Sequence, residues 1–141
     1  MKSGVDHVLG AINAEIGTTP YAVSIEAGRH RLTADEPAKL GGRDAGPPPF
    51  DLLLAALGAC TAATLKMYAE RKKWPLESLV VALSYLRSDQ GDRIERRITP
   101  KGPLDPTQRE KLADIAERTP VTLVLKRGVA IDTHLASEEK E

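Results

Sequence analysis

The sequence is poor in features that would announce a function. It has one cysteine, Cys60, which excludes a disulfide within the chain and a zinc site built on several thiolates. One Phe, three Tyr and one Trp are too few for a platform that stacks the bases of a single strand. Neither charge is in excess: 20 Lys+Arg stand against 20 Asp+Glu, so no broad cationic field draws phosphate backbones or anionic lipid. The longest uncharged apolar run, Leu52 to Leu65, covers 14 residues, short of the ~20 that span a bilayer. Met1 to Gly10 includes Asp6 and His7 and no long apolar core, so no signal peptide is expected. His7, His30 and His134 lack metal-ligand spacing. The expectation is a soluble cytoplasmic protein without metal or cofactor, and without a nucleic-acid or membrane partner.

What is present suits one globular domain over residues 1–141, since 41% of the residues are hydrophobic. Residues 1–35 read as a β-meander. Val8 to Ile16, Tyr21 to Glu26 and His30 to Ala34 alternate in part, punctuated at Gly17-Thr18-Thr19-Pro20 and Ala27-Gly28-Arg29. Gly41 to Pro49 breaks regular structure and stiffens the chain with three prolines. Pro49 then suits the first position of a helix over residues 50–73, which Trp74-Pro75 ends. The first half of that helix is apolar on every face, so it must be covered on every face. One sheet of so short a chain covers one side only, and a second copy of the chain is the simplest cover for the other. A β-hairpin over 79–99 follows, with its turn at Ser88 to Asp92. A second helix over 105–119 opens on Asp105, Pro106 and Gln108 as N-cap, N1 and N3. Pro120 interrupts it, Val121 to Leu125 fits a helical turn or a strand, and Val129 to Thr133 reads as a last short strand. The tail Ser137 to Glu141 is charged and expected to fray.

Cys60 is the one nucleophile that stands out. It lies mid-helix among Ala56, Leu57, Gly58, Ala59, Thr61 and Ala62. Read plainly, it is a small apolar filler, because free cysteine is among the most buried residue types. Read chemically, it is a thiol that needs a cation or hydrogen-bond donors to favour the thiolate. Its helical neighbours Ala56, Leu57, Ala63 and Thr64 carry no charge, so a cation must come from another element. Arg29, Arg31 and Arg43 are the candidates. Leu53, Leu57 and Met67 lie near Cys60 in sequence and favour an apolar small molecule as substrate or ligand. Asp51, nine residues earlier, falls on the opposite helix face and complements the helix dipole.

The loop and helix together, from Gly41-Gly42-Arg43-Asp44-Ala45-Gly46-Pro47-Pro48-Pro49 through Phe50-Asp51-Leu52 to Ala59-Cys60-Thr61, resemble the core motif of the OsmC/Ohr superfamily of osmotically inducible and organic-hydroperoxide-resistance proteins. Asp35-Glu36-Pro37, Met67 to Leu76 and Gly102-Pro103-Leu104-Asp105 look like the OsmC-like branch. The resemblance implies an α+β fold, an intertwined homodimer whose curved antiparallel sheets surround a long buried central helix, with a second helix. It also implies a peroxidase that uses two cysteines, an arginine and a glutamate. Cys60 matches the reactive cysteine. Thr119, just before Pro120, stands where the second, resolving cysteine would be, and Phe50 where the glutamate would be. Two functions follow as expectations. One is a one-cysteine, thiol-dependent oxidoreductase that reduces organic hydroperoxides under oxidative stress with an external thiol as reductant. The other is a non-catalytic module that binds a hydrophobic small molecule or acts as a redox sensor.

Overall fold

The computed structural model describes residues 4–137; the tail expected to fray lies, from residue 138 on, outside the described residues. The fold is α+β, with two antiparallel sheets and helices. The chain divides into two compact units, one up to Ala55 and one from Ala56.

In the first unit, β1 (Asn13–Ile16), β2 (Val23–Ala27) and β3 (His30–Ala34) form a meander in that order. Ala27 pairs with His30, which leaves Gly28-Arg29 as a two-residue turn, and Gly28 supplies the positive φ of 61° that such a turn needs. The strand expected from Val8 is shorter than its alternation suggests. β2 runs only one residue past Glu26, the partner of Asn13, before it turns, so the residues before Ile12 have no strand to pair with. Beyond β3 the chain turns through Ala38–Leu40 into the glycine–proline loop. Asp35, 2% exposed, holds this loop. Its carboxylate accepts from the main-chain N–H of Glu36 at 2.7 Å, Arg43 at 3.2 Å and Ala45 at 3.1 Å. The loop lies so close to its neighbours that a Cβ at Gly42 would sit 1.9 Å from the Glu36 carbonyl oxygen, and one at Gly46 2.0 Å from that of Thr33.

α1 (Pro49–Lys72) starts at the third proline of the loop and ends where Lys73 takes a left-handed φ of 59°. It buries Leu57, Thr61, Leu65 and Ala69, one stripe at four-residue spacing. Ala59 and Ala63 stay exposed, and Met67 is 60% exposed. The helix expected to be buried all round is thus covered along one stripe by its own chain. By length and composition alone, α1 is also long and apolar enough to cross a membrane, with a mean hydropathy of 1.5 over its most apolar window. The sequence expectation counted only the uncharged run and missed this, because flanking residues extend the window.

In the second unit, β4 (Ser78–Ser88) and β5 (Gly91–Lys101) pair along their full length, Ser88 opposite Gly91, so the turn is Asp89-Gln90. α2 (Pro106–Ala116) is capped as its sequence demands. The Asp105 carboxylate accepts from Gln108 N–H, and the Gln108 side chain accepts from Asp105 N–H. The core comprises Leu65, Ala69, Leu76, Leu104, Leu112 and Ala116, with Tyr68 and Trp74 packed edge to face at 5.4 Å beside it. Burying Leu65 and Leu112 contributes about 2 kcal/mol each. Residues 121–125, open between helix and strand, are helical: α3 (Pro120–Arg127) has Thr119 as N-cap and Pro120 as its first residue. The proline starts a helix where it was expected only to end one. The last strand, Val129 to Thr133, does not form. Val129 and Ile131 are 67% and 85% exposed and pair with no strand among the described residues, and alternation without an adjacent sheet edge cannot make a ladder.

Candidate functional site

Cys60 is half-buried on α1, its Sγ 3.9 Å from the Thr64 hydroxyl one turn along. Two residues back and facing away from the thiol, a Cβ at Gly58 would meet Leu83 Cδ1 at 3.0 Å. A small residue there lets α1 lie close against β4 on the side of the helix away from Cys60. Thr61, the next residue, is fully buried, and its hydroxyl donates to the Leu57 carbonyl at 2.7 Å.

The Thr61 hydroxyl also accepts from Arg96, and here the structure shows what sequence reading missed. Arg96 lies on the same face of β5 as Ile94 and Ile98, and its side chain is 11% exposed. Nη1 donates to the hydroxyls of Thr61 at 3.0 Å and Thr122 at 2.8 Å. Nη2 donates to the Ala116 carbonyl at 3.0 Å and the Glu117 carboxylate at 3.1 Å. All four N–H groups on the two terminal nitrogens are thereby used. Glu117 balances the charge. Its own pKa is lowered chiefly by a hydrogen bond from Lys126, against the opposing effect of burial, with Arg96 adding to the lowering. The signal available in the sequence was an arginine at the middle of an inward-facing triplet, Ile94-x-Arg96-x-Ile98.

Thr119, 1% exposed, completes the cluster, with its hydroxyl 2.6 Å from that of Thr122. The position where the resemblance places a resolving cysteine therefore holds a buried hydroxyl in a satisfied network. Arg29, Arg31 and Arg43 all belong to the unit before Ala55 and are exposed there. Arg31 pairs with Glu26 at 2.7 Å, Arg29 occupies the β2–β3 turn, and Arg43 gives its main-chain N–H to Asp35. Of the apolar residues expected near the thiol, Leu57 is 5% exposed and turned into the core, whereas Met67 is exposed. A polar depression of about 450 Å³ lies on the meander, lined by Asn13, Glu15, Ser24, Glu26 and Arg31. Among the described residues no three His, Cys, Asp or Glu side chains gather as a metal site.

The family model described as OsmC-like protein matches residues 41–134, which include the glycine–proline loop, Cys60, Arg96 and Thr119. The chain belongs to the OsmC-like family. Solved structures show the same fold for this OsmC-like protein. An OsmC-like protein from Mycoplasma pneumoniae superposes with a TM-score of 0.72 at 22% identity, over 83% of this chain and 86% of the other. The organic hydroperoxide resistance protein OsmC from Legionella pneumophila gives 0.64 at 22% identity, over 86% and 92%. The organic hydroperoxide resistance protein OhrB of Bacillus subtilis gives 0.60 at 20% identity, over 84% and 91%. No curated protein matches the chain.

Proposed function

We propose that this OsmC-like protein is a thiol-dependent reductase of organic hydroperoxides that works with Cys60 alone, as a cytoplasmic homodimer with one domain per chain. The observation that carries the reading is the placement of the chain's one cysteine, half-buried on α1 inside the segment that the family shares. The Cys60 thiolate attacks one peroxide oxygen, the O–O bond breaks, and the alcohol leaves with a proton. The sulfenic acid then accepts a small external thiol, releasing water and forming a mixed disulfide. A second thiol displaces Cys60 and leaves as the oxidised disulfide. The two thiols supply the two electrons that the hydroperoxide takes up.

Thr119 supports the external route, since a hydroxyl cannot condense with a sulfenic acid. The second reading, a non-catalytic module that binds an apolar ligand or senses oxidants, is favoured by that same threonine and by Phe50 in place of the glutamate. Titration of the thiol separates the two. Cumene hydroperoxide is expected to consume Cys60 faster than hydrogen peroxide, to drive it in excess to sulfinic and sulfonic acid by mass, and to turn over only with added thiol. In Thr119→Cys, peroxide is expected to give an internal disulfide and to spare Cys60 from overoxidation. A Cys60 that stays reduced in both proteins overturns the peroxidase reading in favour of the binding module.

The intertwined homodimer rests on exposed apolar surface. Ala59, Ala63 and Met67 on α1 are uncovered, and so are Val8 and Leu9 before β1 and Ile131 and Leu135 after α3. A second copy that packs on these apolar residues covers them, and an obligate interface of this kind buries over ~2,000 Å². A folded, monodisperse species of 15.2 kDa at micromolar concentration overturns this.

A further inference from the structure

Arg96 reaches the residue next to Cys60, and nothing in the peroxidase reading above uses it. Its charge is almost wholly removed from water, an arrangement that stabilises a fold no better than apolar packing of the same volume does. What it supplies is geometry. A guanidinium is a rigid plane, and its two terminal nitrogens here fix four acceptors at once: Thr61 on α1, Ala116 and Glu117 where α2 ends, and Thr122 on α3. Only one of those four bonds touches the turn that carries the thiol. Thr61 is also bonded to Leu57, so the Leu57–Thr61 turn is held from within the helix and from β5.

We propose that Arg96 is a positioning residue for Cys60: through the Thr61 hydroxyl it fixes the rotation and depth of the helical turn that presents the thiol to a hydroperoxide. The inference rests on the peroxidase reading for its biological use, and it extends that reading from the cysteine to a strand residue 36 positions away in the chain. A loose turn lets Sγ sample orientations in which the peroxide oxygen is not in line. The encounter is then less productive although the thiol is still present.

The test is a double-variant cycle read on Cys60 itself in the full-length protein. Second-order rates of thiol loss with cumene hydroperoxide, and of alkylation with iodoacetamide, are measured for wild type, Arg96→Met, Thr61→Val and the double variant. Circular dichroism and the urea midpoint confirm folding. Each single variant is expected to lower the hydroperoxide rate about tenfold. The double variant is expected to match the slower single, because both remove one pathway. Arg96→Lys, with one nitrogen for several acceptors, is expected to fall between wild type and Arg96→Met. Single variants that fold and react within twofold of wild type overturn the proposal, and so do effects that multiply in the double. Should Arg96→Met fail to fold, Thr61→Ser against Thr61→Val decides: serine keeps the acceptor and the wild-type rate, and equal rates for the two overturn it. A wild-type protein inert to hydroperoxide sinks the peroxidase reading instead, and the alkylation rates then judge Arg96 by themselves.

Discussion

In the unit before Ala55, a buried carboxylate, Asp35, is satisfied by main-chain N–H groups 1, 8 and 10 residues away. In the unit from Ala56 on, a nearly buried guanidinium, Arg96, is satisfied by hydroxyls, a carbonyl and a carboxylate 20 to 35 residues away. The first arrangement closes a short loop at little entropic cost and depends on backbone shape. The second gathers three helices and a strand, and depends on which side chains are present. One region should therefore be broken by adding an atom, and the other by removing some.

The largest expected effect comes from the smallest addition. Gly46→Ala places a Cβ 2.0 Å from the Thr33 carbonyl oxygen, which cannot rotate away. About 3 kcal/mol of stability should be lost in urea denaturation. Arg96→Met keeps the buried stem and deletes the fork. Its former acceptors retain weaker partners, so about 2 kcal/mol should go. If Arg96→Met costs more than Gly46→Ala, the ordering of the two regions is reversed. Thr119→Val removes one hydroxyl at the edge of the Arg96 cluster, bonded to Thr122 and not to the arginine. A loss of about 1 kcal/mol is expected, and a loss as large as that of Arg96→Met would mean that the cluster behaves as one unit.

The smallest change is expected on mild acidification. Burial raises the pKa of Asp35, yet hydrogen bonds from the main chain of Ala45, Glu36, Arg43 and Tyr21 outweigh it and leave the pKa below the ordinary 3.8. A depressed carboxylate pKa contributes stability that is complete above the unfolded value and is lost as pH falls through the folded one. The stability gap between wild type and Asp35→Asn should thus hold constant from pH 7 to near pH 4, then narrow below 3.8. A gap that closes already near neutrality would show that Asp35 is not held as a carboxylate.

The two regions also differed in how they could be read. The glycine–proline loop and α1 were legible because prolines and an apolar run act locally, and the Asp105–Gln108 cap was legible for the same reason. Pro120 was legible only in part. The N1 preference that placed Pro106 applied equally to it, but a proline following a helical stripe reads first as a stop. Val129 to Thr133 alternates as a strand does, and periodicity carries no information about whether an edge is available. Within the site, Cys60 was legible as the one thiol in the sequence, and Thr119 through the resemblance. Arg96 was passed over as one charge among several on β5, since its role depends on partners 20 or more residues away that no local pattern reveals.

The uncovered ribbon after α3 has a consequence for handling the protein. Val129, Ile131 and Leu135 are 67%, 85% and 100% exposed, and paired as a strand these odd positions would share one side. An apolar ribbon with a free hydrogen-bonding edge is adhesive toward any other such edge. With the proposed second copy in place the ribbon is quenched, and concentration favours that state by mass action. On dilution a larger fraction of the chains then carries the bare ribbon, so a dye that binds apolar surface should fluoresce more per chain in dilute stocks than in concentrated ones.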